Sequence, residues 1–418
     1  MEPKIRLYGF HGGWEESTFS ESFDSLKNNS LSRAELADSG AVYNIHYGDV
    51  LITYNECVKI DKEVKTFVKD TEVARKLYQS CAIKNGDIIF ADAAEDNTVG
   101  KCTEVISKET DAIVSGLHTI PCRPKKKFAS RYLGYYLNSK AYHDQLLPHI
   151  QGTKISSISK RALAQTHISY PSDKNEQQTI ASYFQHLDSL IQSTTKKIDS
   201  LKQVKAASLQ SMFPQEGETT PRVRFKGFDG EWETVLVGNL GSWSKGRLLS
   251  KSDLVDDGNN PCIHYGELFV NYGEVINKVV SATNIETGCL SEKGDILFPD
   301  SDVTPTGLAR CSAIMLDGVI LGGGINILRI RKNNYAPFVS YSINQEKEQI
   351  ITRVTGTTVR HINASALSEV VIKLPTDKVE QKKIADYLQT LDSQISLQTQ
   401  RLEKLKQIKS ACLDNMFV

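Results

Sequence analysis

The chain repeats itself. Arg6-Leu7-Tyr8-Gly9-Phe10, followed by Trp14-Glu15, returns 218 residues later as Arg224-Phe225-Lys226-Gly227-Phe228, followed by Trp232-Glu233. Ile45-His46-Tyr47-Gly48 returns at the same offset as Ile263-His264-Tyr265-Gly266. Gly86-Asp87-Ile88 then pairs with Gly294-Asp295-Ile296 at an offset of 208, and Gly152-Thr153 with Gly356-Thr357 at 204. From there the offset holds: Pro171 matches Pro375, Glu176-Gln177 matches Glu380-Gln381, and Met212-Phe213 matches Met416-Phe417. A unit of about 210 residues is too large for a solenoid repeat, so a whole domain with an appendage has been used twice. The appendages align without a gap, while the globular parts share landmarks and differ elsewhere. A fixed frame carrying two divergent readers has this pattern, and so does drift after duplication.

The appendage is a long helix. Ile180, Phe184, Leu187, Ile191, Thr194, Ile198, Leu201, Lys205, Ser208 and Met212 are spaced four, three, four, three, an a/d heptad seam. Ile384, Leu388, Leu391, Ile395, Gln398, Leu402, Leu405, Lys409, Cys412 and Met416 repeat it. Neither run contains Gly or Pro, and Pro171, Pro214 and Pro375 are natural stops. A helix this long leaves its apolar stripe wet unless it finds a partner, and the second copy supplies one. The spacing predicts an antiparallel coiled coil with pseudo-twofold symmetry, paired through Ile180, Phe184, Leu187, Ile191, Ile198 and Leu201 against Ile384, Leu388, Leu391, Ile395, Leu402 and Leu405. The alternative is that each helix packs on its own globular domain.

The globular parts are expected to be α/β, of mixed α+β character. Asp87-Ile88-Ile89-Phe90 and Asp295-Ile296-Leu297-Phe298 read as strands after a Gly-Asp turn, and residues 167–170 and 370–374 as closing strands. Residues 130–145 and 337–351 read as helical. The boundaries follow: globular domains at 1–172 and 222–374, long helices at 173–213 and 375–418, and a linker at 214–221. Gly322-Gly323-Gly324 lacks the frame of a phosphate-binding loop and reads as a tight turn.

Composition excludes some classes. The chain has 418 residues, is 40% hydrophobic and 24% charged, and has zero formal net charge. Zero charge argues against non-specific coating of nucleic acid but not against local basic patches. No apolar run of about 18 residues exists and Met1-Glu2-Pro3-Lys4 opens no signal peptide, so a cytoplasmic chain with no membrane partner is expected. The eight cysteines show no metal-ligand spacing, so no bound metal is expected. No Pro-Pro pair of an adenine methyltransferase motif occurs, nor a P-loop or nucleophile elbow, so no catalytic residue is assigned.

Basic residues collect towards the ends of the globular parts: Lys125, Lys126, Lys127, Lys154 and Arg161 in the first, Arg329, Arg331 and Arg360 in the second. Such side chains neutralise phosphates or read base edges, although a solvated face is the ordinary role of any one of them. The Gly-Thr segments are better motivated, because glycine lets backbone N–H groups approach a phosphate. Lys154 there, and Thr358, Arg360 and His361 in the second copy, are DNA-binding candidates. Lys154 and Arg360 are expected to serve different halves of a site. His46 and His264, repeated with their tyrosines, are candidates too; a buried His-Tyr pair before a turn glycine is the plainer alternative.

Together, the full-length duplication, the Gly-Phe-x-x-x-Trp-Glu openings, the two Pro-x-x-x-x-Glu-Gln-x-x-Ile-Ala helix starts, and the Leu-Asp with Leu-Lys-x-x-Lys tails resemble the specificity subunit of type I restriction–modification enzymes. The resemblance spans nearly the whole chain. It implies two tandem target-recognition domains on double-stranded DNA, each binding half of a bipartite site, with the paired helices setting their separation. It implies two methyltransferase subunits and two restriction subunits as partners. S-adenosylmethionine, ATP and Mg²⁺ would belong to those partners, with no cofactor on this chain and no catalysis by it. A stand-alone bipartite DNA-binding regulator and a coiled-coil protein-binding scaffold are the rival readings.

Overall fold

The computed structural model describes residues 2–152 and 154–418. It divides into two compact units. One comprises Met1–Thr195 together with Gln400–Val418, and the other Lys196–Thr399. The two long helices, Lys174–Met212 and Lys378–Asn415, are each shared: the first half belongs to one unit and the second half to the other. At about 1.5 Å per residue, each is roughly 58 Å long. Asp173 and Asp377 sit just before them and accept from Asn175 N (2.8 Å) and Val379 N (2.7 Å), satisfying amides that have no partner within the helix.

In the first unit a five-stranded sheet runs in the order 23–25, 119–124, 88–91, 102–106, 57–59, antiparallel except for the last pair. The second unit repeats this order with 241–245, 325–330, 295–299, 312–314 and 275–276, again closing on a parallel pair. The central strands Ile88–Ala91 and Asp295–Pro299 are buried along their whole length, which is why Ile88-Ile89-Phe90-Ala91 and Ile296-Leu297-Phe298 are apolar without alternation. Each begins at a turn glycine in the left-handed region, Gly86 at φ +86° and Gly294 at φ +99°. The aspartate that follows then accepts from the amide three residues back, Lys84 N (2.7 Å) or Glu292 N (2.8 Å).

A second sheet lies in each unit, and here the copies part. The first has four strands, 36–37, 67–68, 43–45 and 113–115. The second has five, adding Cys289–Leu290 beside 320–321. Where the second unit adds that strand, the first carries an eleven-residue helix, Thr71–Cys81, capped by Asp70 and packed through Ala74 and Cys81 beside Val114. This inserted helix explains why the repeat offset falls from 218 to 208 between the His-Tyr-Gly and Gly-Asp landmarks. The helical stretches read from the sequence are each broken in two: Tyr132–Leu137 and Lys140–His143 in one unit, Ala336–Gln345 and Lys347–Ile351 in the other. All eight cysteines are free thiols. Among the described residues no helix is long and apolar enough to cross a membrane, and no cluster of His, Cys, Asp and Glu could hold a metal ion.

Candidate functional site

Each unit contains a length of both long helices running antiparallel. In the first, Tyr183 Oη lies 3.5 Å from Cys412 Sγ and Asp188 lies 2.7 Å from Lys409, so one number rises as the other falls. In the second, Ser208 meets Tyr387 at 3.2 Å and Lys205 meets Asp392 at 2.6 Å. Ile180, Phe184 and Leu187 are buried in the first core, against which Leu405 and Cys412 pack; Ile384 and Leu388 are buried in the second. Leu391 and Ile198 are buried, and Ile191, Leu201, Ile395 and Leu402 half-buried.

The helix starts are clamped to the opening of each repeat. Arg6 donates two hydrogen bonds to Glu176 (both 2.7 Å), and Arg224 donates two to Glu380 (2.6 and 2.8 Å). The planar guanidinium matches the carboxylate fork, and Glu176 and Glu380 are buried, so the geometry is fixed. The adjacent glutamine ties two backbone segments: Gln177 donates to Pro171 O and accepts from Ala129 N, while Gln381 donates to Pro375 O and accepts from Tyr335 N. This accounts for the Glu-Gln pair in both helix starts.

A second clamp, unread in the sequence, joins both helices to the sheet domain. Lys409 reaches Glu56 (2.6 Å) and Asp188 (2.7 Å), and Tyr135 Oη donates to Asp188 (2.6 Å). Lys205 reaches Glu274 (3.0 Å) and Asp392 (2.6 Å), and Tyr341 Oη donates to Asp392 (2.5 Å). Burial alone would push both lysines down, but the paired carboxylates outweigh it and hold their pKa values above the ordinary one. Each set draws its lysine from one helix, its aspartate from the other, and its tyrosine and glutamate from the sheet domain. The available signal was a lysine recurring inside an apolar seam.

His46 caps the short helix Tyr47–Ile52, and His264 stands two residues before Gly266, the N-cap of the short helix Glu267–Val270. Each Nδ1 accepts from the amide two residues on, Gly48 or Gly266, at 3.2 Å. The opposite end is held by a half-buried cation: Lys101 donates to Leu51 O and Tyr54 O, and Arg310 to Phe269 O and Tyr272 O. Burial and the charge of Arg33 hold the His46 pKa below its usual value. The neutral form is therefore the folded form, so its stabilisation is present above about pH 6.5 and is lost as the pH falls towards the lower folded value. His46→Ala should lower stability by about 0.5–2 kcal/mol at neutral pH, and less in acid. Thermal melts of both chains across that range check this; parallel curves would contradict it.

The basic candidates divide by what they touch. Arg329 is held by Asp295 at 2.9 Å on both oxygens and by Glu292 at 2.6 Å, as Arg123 is by Asp87 in the first unit. Lys125 donates to Ser20 O and Lys126 to the Tyr170 hydroxyl, while Lys127 is exposed. These three lysines line a cavity of about 450 Å³ with Asp87 and Arg123. Lys154, Arg161, Arg331, Thr358 and His361 are exposed, and Arg360 donates to Gly356 O. Thr153 lies outside the described residues. Both Gly-Thr turns have the same build: a Cβ on Gly152 would lie 1.9 Å from Ile155 O, and one on Gly356 would lie 2.2 Å from Val359 O. The structure thus brings Thr358, Arg360 and His361 together on one hairpin. Lys125–Lys127 form a separate group, His46 lies in a cap position, and His264 binds the amide of a helix-capping glycine.

Comparison with known proteins agrees with this architecture. A type I restriction enzyme specificity subunit of Methanocaldococcus jannaschii, MjaVIII, is 22% identical over 308 residues, covering 68% of each chain. The crystal structure of a type I restriction–modification S subunit from M. genitalium superposes with a TM-score of 0.67 at 15% identity, covering 100% of this chain and 99% of that one. A chain from a study of complex assembly and conformational transition in the type I system gives 0.52 at 17% identity, covering 98% and 99%. These two likenesses show the fold. The family described as the type I restriction modification DNA specificity domain matches residues 11–203 and 229–407, most of the sequence in two copies. The chain belongs to that family, as a non-catalytic DNA specificity subunit of a type I restriction–modification system.

Proposed function

We propose that this subunit binds a bipartite double-stranded DNA site, one half to each of the domains 1–172 and 222–374, and directs partner methyltransferase and restriction subunits to it. The carrying observation is that the clamps at the helix starts match between the repeats, while the exposed side chains that follow the two Gly-Thr pairs differ. Arg6 and Arg224 hold equivalent glutamates, yet the equivalent Gly-Thr turns carry Lys154 in one copy and Thr358 in the other. Unlike chemistry on a common frame suits two unlike half-sites.

The long helix at 173–213, joined to the second domain by 214–221, and the long helix at 375–418 act as a ruler. Lys127, Lys154, Arg161, Arg331, Thr358, Arg360 and His361 supply phosphate and base contacts, and Lys125 and Lys126 add charge beside Lys127. Arg329, His46 and His264 act by holding the reading surface. Two methyltransferase subunits supply S-adenosylmethionine chemistry on adenine, and two restriction subunits bring ATP and Mg²⁺. The twofold repeat supports this stoichiometry, since two copies of one partner meet equivalent surfaces. This chain holds no cofactor of its own, and the complex works in the cytoplasm, where the DNA is.

Deleting one heptad from the middle of each long helix should shorten the ruler by about 10 Å, or about three base pairs. Co-expression with the methyltransferase partner, followed by sequencing of the methylated DNA, reads the spacer directly. Methylation at the original spacing would contradict the ruler. Tight DNA binding without methylation in the unaltered complex would favour a stand-alone regulator.

A further inference from the structure

The segment following the first strand of the five-stranded sheet differs in kind between the two units. It is Lys27-Asn28-Asn29-Ser30-Leu31 in the first and Lys245-Gly246-Arg247-Leu248-Leu249 in the second. The capping boxes that follow, Ser32 with Glu35 and Ser250 with Asp253, align the two. Leu31 and Leu249 both pack inward. In the first unit Asn29 turns inward as well, donating to Asn44 Oδ1 and Ser115 O at 2.8 Å each.

In the second unit the same place is a strained tip. Leu248 and Leu249 are consecutive residues in the left-handed region, at φ +56° and +57°, a conformation disfavoured for any side chain with a Cβ. Leu249 is buried, but Leu248 is 64% exposed. Arg247 is exposed and its guanidinium has no hydrogen bond or ion pair among the described residues. The triple glycine holds this backbone in place. Gly323 N donates to Leu248 O (2.8 Å), and Arg247 N donates to Leu321 O (3.1 Å). A Cβ on Gly246 would lie 2.0 Å from Gly322 O, so two chains approach as only glycine permits. Beside the tip is an open hollow of about 670 Å³ lined by Leu248, Leu249, Asp253, His264, Tyr265 and Ile285. The one carboxylate in that lining, Asp253, is taken up by Ser250 N at 2.7 Å.

We propose that Arg247 and Leu248 form a base-reading tip that belongs to the second reader alone. Arg247 presents its donor fork to a guanine edge in the major groove, and Leu248 meets an apolar base edge such as a thymine methyl. The inference rests on the bipartite DNA reading above. A phosphate contact can be alike in both readers, whereas a sequence contact between unlike half-sites must differ, and this is a place where the frame is kept and the chemistry changes. An exposed leucine held in strain gains nothing from a phosphate. A polar edge and an apolar edge side by side are what a base pair offers.

The test uses the full chain assembled with its methyltransferase partner, with methylated sites mapped by sequencing. Arg247→Ala should slow methylation of the cognate site about 5- to 150-fold and relax one position in one half-site only. Arg247→Lys should not restore it, because an ammonium lacks the planar fork. Leu248→Gly removes the strain along with the side chain. It should keep or raise the melting temperature while admitting other bases next to that position. An unchanged motif at the original rate in Arg247→Ala and Leu248→Gly would overturn the proposal. So would full rescue by Arg247→Lys, which marks a phosphate contact, or equal losses in both half-sites with a lowered melting temperature. If the unaltered complex methylates no split motif, the bipartite reading itself fails and takes this inference with it.

Discussion

Replacing Lys409 by alanine should destabilise the first unit by about 3–5 kcal/mol, because it strands two carboxylates in a mostly buried setting. The Lys409 side chain is 13% exposed, and its partners Glu56 and Asp188 are 14% and 25% exposed. Removing the ammonium leaves their charge without a counter-ion, and Asp188 also keeps its bond from the Tyr135 hydroxyl. Glu56 belongs to the sheet domain, so the loss loosens both helical segments from it together. Lys205→Ala should act in the same direction on the second unit but more weakly, since Asp392 is 33% exposed and water can screen it. Denaturant unfolding of each variant, with segment-resolved hydrogen exchange to show which unit opens, measures this. A triple change, Lys409→Met with Glu56→Gln and Asp188→Asn, should recover most of the loss, since no charge is then left buried. A single Lys409→Ala chain within 1 kcal/mol of the original would show that the clamp is solvated and contributes little.

The clamp also shows where sequence reading stops. The duplication, the heptad seams and the closing strands were legible because each is a periodic or repeated pattern in apolar residues, and those patterns match the burial of Ile180, Phe184, Ile384 and Leu388. Lys205 and Lys409 were visible as odd members of the seam. Their partners Glu56 and Glu274 were not, since only the folded chain brings a residue near the His-Tyr-Gly helix onto a helix far along the sequence. The drop in repeat offset was plain, but that it is the capped helix Thr71–Cys81 was not. Basic candidates looked alike in sequence whether they end exposed with no side-chain partner among the described residues, as Arg331 does, or locked to aspartate, as Arg329 is. Nothing in a pair of leucines announces a left-handed backbone. The strain at Leu248 and Leu249 comes from the glycines that hold them, more than seventy residues away.

Deleting residues 416–418 should unfold the first unit and leave the second largely intact. Phe417 is buried, with its ring 5.7 Å from Phe184 and from Tyr136, 6.0 Å from Tyr132 and 6.3 Å from Trp14. Met416 is buried in the same cluster. Losing a buried Phe costs about 3–5 kcal/mol and a buried Met about 2–5 kcal/mol. Neighbouring losses do not simply add, but about 5 kcal/mol is already comparable to the whole stability of many domains. The second unit ends at Thr399 and uses the equivalent Phe213, stacked 5.4 Å from Phe338 and edge-on to Trp232 at 5.9 Å, so the deletion does not touch it. Hydrogen exchange should therefore show protection lost across residues 2–195 and kept across 196–399, while Phe213→Ala should weaken the second unit. Protection retained in the first unit of the deleted chain would mean that residues 400–415 close its core unaided. The same geometry orders folding during synthesis. The second unit is continuous in sequence and can close as soon as residue 399 is free, whereas the first must hold its aromatic cluster open until residues 400–418 follow.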